Sequence, residues 1–294
     1  MTPPIHARFR QVDVFTAVPF KGNPLAVIFD AGHLDTGQMQ AIARWTNLSE
    51  TTFVLPPAEP AADYRVRIFT TDSELPFAGH PTLGTAHALR DSGYQPRRAG
   101  RLVQQCGVGL VELAEDEAGQ WAFAAPPARV TPLPVEQHAA LAQALRTDAI
   151  DFAATPSAVD NGAPWLVVRV TSAAACLVLA PDSAALTQVT QRAGTHGLAV
   201  YGPHAPGGPA TFEVRCLMAG GDFGSGEDPV TGSANAALAG LLDAQGRRPG
   251  PRYSVRQGTV LGRDGRVSVR YDDAGQVWIG GDTVTVVTGT FRLP

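Results

Sequence analysis

Three scarcities set the first limits on this chain: few cysteines, no long apolar run, no clustered positive charge. Cys106, Cys176 and Cys216 lie far apart, form no Cys-x-x-Cys pair and have no histidine at ligand spacing. They read as reduced thiols of a cytoplasmic protein, neither a disulfide framework nor a metal knuckle. No apolar run reaches the roughly 18 residues of a membrane span. Met1 to Arg10 has no apolar core and no cleavage pattern, so no secretory leader is expected. The formal net charge is −4, with lysine and arginine scattered. A nucleic-acid partner would call for a clustered basic face.

What is present is an ordinary globular composition, 44% apolar and 17% charged. The length accommodates two domains of about 147 residues, each large enough for its own core. The conspicuous stretch is Ala78-Gly79-His80-Pro81-Thr82-Leu83-Gly84, echoed half a chain later by Glu227-Asp228-Pro229-Val230-Thr231-Gly232-Ser233-Ala234-Asn235. Both read polar residue, proline, two residues, glycine, hydroxyl, alanine, which suggests an old duplication. In each copy the proline is expected at the first helical position, with His80 or Asp228 at the N-cap. Two such helix starts facing one another would make a site for a small carboxylate. Plain helix capping is the competing explanation for either copy alone.

Periodicity and breakers predict the remaining elements. Strands are expected at Phe9–Phe15, Leu25–Phe29, Thr51–Leu55 and Tyr64–Thr70, and a hairpin at Val108–Ala114 with Trp121–Ala125. Further strands are expected at Trp165–Val170, Cys176–Leu179, Gly197–Tyr201, Phe212–Met218, Tyr253–Arg256, Arg266–Tyr271, Val277–Ile279 and Thr283–Val287. Helices are expected at Thr36–Thr46, Pro81–Arg90, Val135–Arg146, Ser183–Ala193 and Pro229–Asp243. The two that follow the repeated motif are small or apolar on most faces, the mark of a buried helix. Pro126-Pro127 and Pro132 to Pro134 are the candidate linker, dividing an N-terminal lobe, 1–126, from a C-terminal lobe, 127–294, whose last strands are free to pack back on the first. Gly220 to Gly226 reads as a flexible approach to the second motif. Strands outnumber helices and come as hairpins, so the class is α+β with two similar lobes.

Several chemistries are excluded. The glycine-rich run lacks Gly-Lys-Ser/Thr and the third glycine of a dinucleotide fingerprint, and it leads into two acids. Ser233 has no Gly-x-Ser-x-Gly elbow. No spaced histidine and carboxylate set suggests a metal. Acid–base chemistry remains. Glu50, where a helix hands over to a strand, His80 and Asp228 all sit at element ends. A carboxylate in a partly dry cleft can carry a proton to and from carbon near neutrality.

At these residues the chain resembles the PhzF, or phenazine-biosynthesis-like, family. The resemblance rests on Val14-Phe15-Thr16 with Phe20-Lys21-Gly22-Asn23-Pro24-Leu25-Ala26-Val27, on Asn47-Leu48-Ser49-Glu50-Thr51-Thr52-Phe53, on Phe77-Ala78-Gly79-His80-Pro81-Thr82, and on Glu227 to Ala234. Weaker matches are Gln257-Gly258, Gly262-Arg263 and Ile279-Gly280-Gly281. The resemblance implies a diaminopimelate-epimerase-like fold: two pseudo-equivalent lobes, each a curled mixed sheet around a central helix, with the site between them. It implies a homodimer and no cofactor. It also implies an isomerase resembling the one that acts on trans-2,3-dihydro-3-hydroxyanthranilate, with Glu50 carrying the proton. His80 and Asp228 would assist, while Gly79, Gly232 and Ser233 would bind a small carboxylic acid. Related two-cysteine epimerases carry a catalytic cysteine at each central helix start, where this chain is read as holding Gly79 and Asp228, so thiol-based racemisation is not expected. A non-thiol epimerase of the same fold and a non-enzymatic small-acid-binding protein are the rival readings.

Overall fold

A computed structural model describes residues 5–116, 119–218 and 226–293. The chain divides into two compact units, Met1–Ala124 with Gly280–Pro294, and Ala125–Ile279. The first part of the chain forms β1 (Ile5–Val14), β2 (Asn23–Ile28), α1 (Thr36–Thr46), β3 (Glu50–Leu55), β4 (Tyr64–Phe69), β5 (Glu74–Leu75), α2 (Gly79–Asp91), β6 (Arg101–Cys106), β7 (Gly109–Glu115) and β8 (Trp121–Ala124). There follow β9 (Arg129–Pro132), α3 (His138–Leu145), β10 (Ser157–Asp160), β11 (Trp165–Arg169), α4 (Ala173–Leu177), α5 (Ser183–Ala193), β12 (Gly197–Pro203) and β13 (Phe212–Met218). The last elements are β14 (Glu227–Asp228), α6 (Gly232–Ala244), β15 (Arg252–Gln257), β16 (Gly265–Tyr271), β17 (Val277–Gly281) and β18 (Thr283–Leu293).

The two units repeat one topology. In the first, β18, β1 and β2 are antiparallel neighbours, β2 and β3 run parallel, and β3 and β4 antiparallel. Strand β4 then carries the short antiparallel β5 and the parallel β6, and β7 and β8 follow as hairpins. In the second unit β9, β10 and β11 are antiparallel, β11 and β12 parallel, and β12 and β13 antiparallel. Strand β13 carries the short antiparallel β14 and the parallel β15, and β16 follows antiparallel. Parallel neighbours need a crossover, and α2 and α6 lie in the equivalent crossovers, β4 to β6 and β13 to β15.

Helix α2 packs on β18, β1, β2, β3 and β8, from one end of its strand order to the other, so the first sheet curls around it. It has no polar face, and nearly every residue from Gly79 to Leu89 is buried. Gly84 lets it lie close to the sheet: a Cβ there would come within 2.6 Å of Leu25 and 2.9 Å of Val14. Helix α6 likewise packs on β9, β10, β11 and β16 and buries Ala234 to Ala239, Leu241 and Leu242. The α+β class and the curled sheet around a central helix are thus as the sequence predicts.

Several details differ, among them β5, β6 and β10, which the sequence pattern did not mark. The motif helices start at Gly79 and Gly232, with N-caps Ala78 and Thr231. Pro81 is therefore the third residue of α2 and Pro229 precedes α6, because proline's missing N–H is tolerated throughout the first turn and before it. The two motifs are also out of register. Leu75 pairs with Ile68 as Asp228 pairs with Cys216, so the counterpart of Asp228 is Leu75, while His80 answers to Ser233 as second helical residue. The run Cys176–Leu179, read as a strand, instead closes α4 with Cys176 and Leu177 and supplies its C-cap with Val178; the start of α4 is capped by the Ser172 hydroxyl accepting from the Ala175 N–H at 3.1 Å. The proline-rich segment read as a linker contains β9, which pairs along β10 and has Pro132 at its last position. Residues 219–225, most of the glycine-rich approach, and residues 117 and 118 of the β7–β8 turn lie outside the described residues. Among the described residues no helix is long and apolar enough to cross a membrane.

Candidate active site

In the first unit a capping box starts α1: Asp35 Oδ1 accepts from the Gln38 N–H at 2.8 Å, and Gln38 Oε1 accepts from the Asp35 N–H at 3.0 Å. Asn47 ends it in the left-handed conformation, φ 54°. That reversal delivers Glu50 to the first position of β3, opposite Leu25 of the parallel β2. His80 is the second residue of α2. Its Nε2 stands 3.5 Å from Glu50 Oε2, with the side chains 4% and 12% exposed.

The protonation of His80 follows from its surroundings. Burial pushes the imidazole down to about 3, against a smaller upward effect of its hydrogen bond to the Pro24 backbone. Pro24 has only a carbonyl to offer, so the ring donates there. Nε2 has no hydrogen-bond partner, which places that proton on Nδ1. The ring is therefore neutral, and Nε2 presents a lone pair to Glu50. The Ala78 N-cap makes no side-chain hydrogen bond and Pro81 has no N–H, so the amides of Gly79 and His80 at the helix end are not capped by a side chain.

In the second unit Glu227 is spoken for: Arg215 grips it with two prongs, Nε to Oε1 at 3.1 Å and Nη2 to Oε2 at 2.8 Å. Asp228 is 8% exposed, and its Oδ2 accepts from the Thr231 hydroxyl at 2.5 Å. Gly232 and Ser233 open α6, again with no side-chain cap. The Ser233 hydroxyl accepts from the Trp165 indole at 3.0 Å, so its own hydrogen remains for another acceptor. The structure thus brings Glu50 and His80 into contact in one unit. It sets Asp228 at the approach to α6, whose first turn holds Gly232 and Ser233, in the other. Asp228 is not at the helix start as the sequence suggested.

Thr231, Gln257 and Trp165 were not singled out as site residues from sequence. Thr231 lies inside the Glu227–Ala234 motif and Gln257 opens the weaker Gln257-Gly258 match, but neither carried an evident role, and Trp165 gave no signal. Among the cysteines, Cys176 and Cys216 are buried, and burial pushes Cys176 up to about 12 and Cys216 well above its ordinary value. Among the described residues no group of three or more histidines, cysteines and acids is placed to hold a metal ion.

Comparison with known proteins agrees with this fold. The profile of the PhzC-PhzF family, phenazine biosynthesis-like proteins, matches residues 12–289. The trans-2,3-dihydro-3-hydroxyanthranilate isomerase of Pseudomonas aeruginosa is 35% identical over 92% of this chain and 92% of its own. Antisense-enhancing sequence 1 of Schizosaccharomyces pombe is 35% identical over 96% of this chain and 97% of its own. A solved structure described as a predicted epimerase from Pseudomonas aeruginosa superposes with a TM-score of 0.81 at 28% identity, covering 97% of this chain and 99% of that one. A hydroxyproline epimerase from Agrobacterium vitis shares the fold alone, with a TM-score of 0.65 at 14% identity, covering 98% of this chain and 93% of that one. Fold and relatives define an isomerase of the diaminopimelate-epimerase-like class. Within it, the chain belongs to the PhzC-PhzF family.

Proposed function

We propose that the protein is a cofactor-independent isomerase that moves a proton on a small carboxylic acid, of the kind named in the dihydrohydroxyanthranilate isomerases. The observation that carries this reading is the contact of a neutral His80 Nε2 with Glu50 Oε2 at 3.5 Å. Glu50 takes a proton from one carbon of the substrate. The C–H electrons shift through the neighbouring double bond, and Glu50 returns the proton to another carbon. No electron is gained or lost overall. While Glu50 holds the proton, the His80 lone pair accepts it in a hydrogen bond, which favours the carbanion-like state of the substrate. Asp228 assists in proton handling or orientation, and Gly79, Gly232 and Ser233 bind the acid group.

The test is proton exchange by NMR in D₂O. The protein is mixed with 2,3-dihydro-3-hydroxyanthranilate and a panel of small carboxylic and amino acids, beside Glu50→Gln. Deuterium entering a carbon position, and lost in the variant, supports the reading. Undiminished exchange in Glu50→Gln removes Glu50 from the mechanism. A second reading, a non-thiol epimerase, is favoured by the relative described as an epimerase. Loss of optical rotation in an amino-acid panel would choose it.

A further inference from the structure

Gln257 and Gln104 end equivalent crossovers and do related work. Gln104 lies on β6, paired with Tyr64 of the parallel β4, and Gln257 lies on β15, paired with Val214 of the parallel β13. Both side chains are fully buried. Each reaches the fourth residue of its central helix. Gln104 Nε2 donates to Thr82 Oγ1 at 2.9 Å, and its Oε1 accepts from the Tyr64 hydroxyl at 3.0 Å. In the second unit the fourth residue is Asn235, whose Nδ2 donates to Gln257 Oε1 at 3.0 Å.

That exchange of Thr for Asn turns the amide over. Gln257 Oε1 faces the helix and also accepts from the Thr231 N–H at 3.1 Å. Its Nε2 faces the loop before the helix, donating to the Asp228 carbonyl at 3.1 Å and to Thr231 Oγ1 at 3.0 Å. All four hydrogen-bonding positions of the amide are used, and flipping it would set donor against donor at Asn235 Nδ2 and the Thr231 N–H and acceptor against acceptor at the Asp228 carbonyl. The Thr231 hydroxyl also bonds Cys216. With Gln257 donating into the Thr231 oxygen, the single hydroxyl hydrogen goes to Asp228 Oδ2, at 2.5 Å. The direction of the whole chain of bonds is thus fixed from Gln257 outward.

We propose that Gln257 and Thr231 are positioning residues that hold the Asp228 carboxylate in one orientation, and that Gln104, which reaches the same helical position from a different place on its strand, is a purely structural staple in the other unit. This rests on the reading of Asp228 as part of the isomerase machinery. It gives the Gln257-Gly258 motif a role: only an amide at 257 offers acceptor to helix and donor to loop at once.

Three variants test it: Thr231→Val, which keeps the shape and the N–H but loses the hydroxyl; Thr231→Ser, which restores the hydroxyl; and Gln257→Glu, which replaces the two donor bonds with an acceptor oxygen. With 2,3-dihydro-3-hydroxyanthranilate as substrate, Thr231→Val and Gln257→Glu are expected to lose at least about tenfold in kcat with KM within about threefold, and Thr231→Ser to stay near the parent. Equal kcat in the Val and Ser variants overturns the proposal. If Gln257→Glu does not fold, the Val and Ser pair decides alone. If the parent enzyme does not turn over this compound, the reading of the activity is what has failed. The relay is then judged from crystal structures of the two Thr231 variants: an Asp228 carboxylate rotated in Val and not in Ser supports it, and an unmoved carboxylate overturns it.

Discussion

Arg215 and Glu227 form a two-pronged ion pair with side chains only 6% and 5% exposed, and Arg215 Nη1 also donates to the carbonyls of Leu179 at 2.8 Å and Cys176 at 3.3 Å. Its counterpart in the first unit, Arg67 with Glu74, has the same two-pronged geometry but side chains 18% and 38% exposed. Exposure decides what each is worth. Removing one partner of a buried pair strands a charge, whereas a wet pair is screened. Glu227→Gln is expected to cost about 3–5 kcal/mol and Glu74→Gln less than about 1 kcal/mol. Urea unfolding of the two variants measures the contrast, and equal losses would contradict it.

The buried histidines set an acid limit on stability. Burial lowers His80 to about 3 and also lowers His87 and His196, while the unfolded chain titrates at the ordinary value. Below about pH 6.5 the unfolded state binds protons that the folded state refuses, so stability falls as pH falls and is flat in this respect above it. For His80 alone the loss is about 2 kcal/mol by pH 5. Denaturant melts at pH 7 and pH 5 of the parent and of His80→Asn check this: the variant should show the shallower dependence.

Gly22 closes the turn before β2. Its N–H donates to the buried Asp13 Oδ2 at 3.1 Å, and a Cβ there would lie 2.1 Å from the Val14 carbonyl oxygen. Backbone cannot yield as a side-chain tip can, so Gly22→Ala is expected to cost about 2–3 kcal/mol. Since the Pro24 carbonyl accepts the hydrogen bond from His80 in this same segment, the variant should also lose activity beyond its stability loss. Melting and turnover measured together test both parts.

The thiols should be dispensable. Cys176 and Cys216 are buried with raised pKa values, and Cys106 is half-buried with its thiol also raised, chiefly by burial. Replacing each in turn by alanine is expected to leave kcat within about threefold of the parent. Loss of turnover in the Cys106→Ala enzyme with its Tm preserved would bring thiol chemistry back.

Local pattern carried much of this fold and less of the candidate site. Alternation and capping residues marked β4, β13, α1 and α5 because those signals are contained within each element. The starts of α2 and α6 were misplaced because proline fits several positions around a first turn, so Pro81 and Pro229 look alike while standing differently. Helix α4 was hidden by a Cys-Leu-Val-Leu run with strand character that the Ser172 cap overrides. Glu50 and His80 could be named from their motifs, but not their contact, which depends on β2 and β3 lying parallel. The part played by Gln257 needs the β13–β15 register, set by residues distant in the chain.

The pairing of β18 with β1 has a consequence for synthesis. The second unit is one continuous segment, free to fold as soon as it leaves the ribosome. The first must keep one edge of β1, from Phe9 to Val14 and beyond, unpaired until the last residues arrive, since Phe9 meets Gly289 and Val14 meets Thr283. The half of the protein that is made first is therefore the half that is finished last, and it waits with an open strand edge exposed to any other chain nearby.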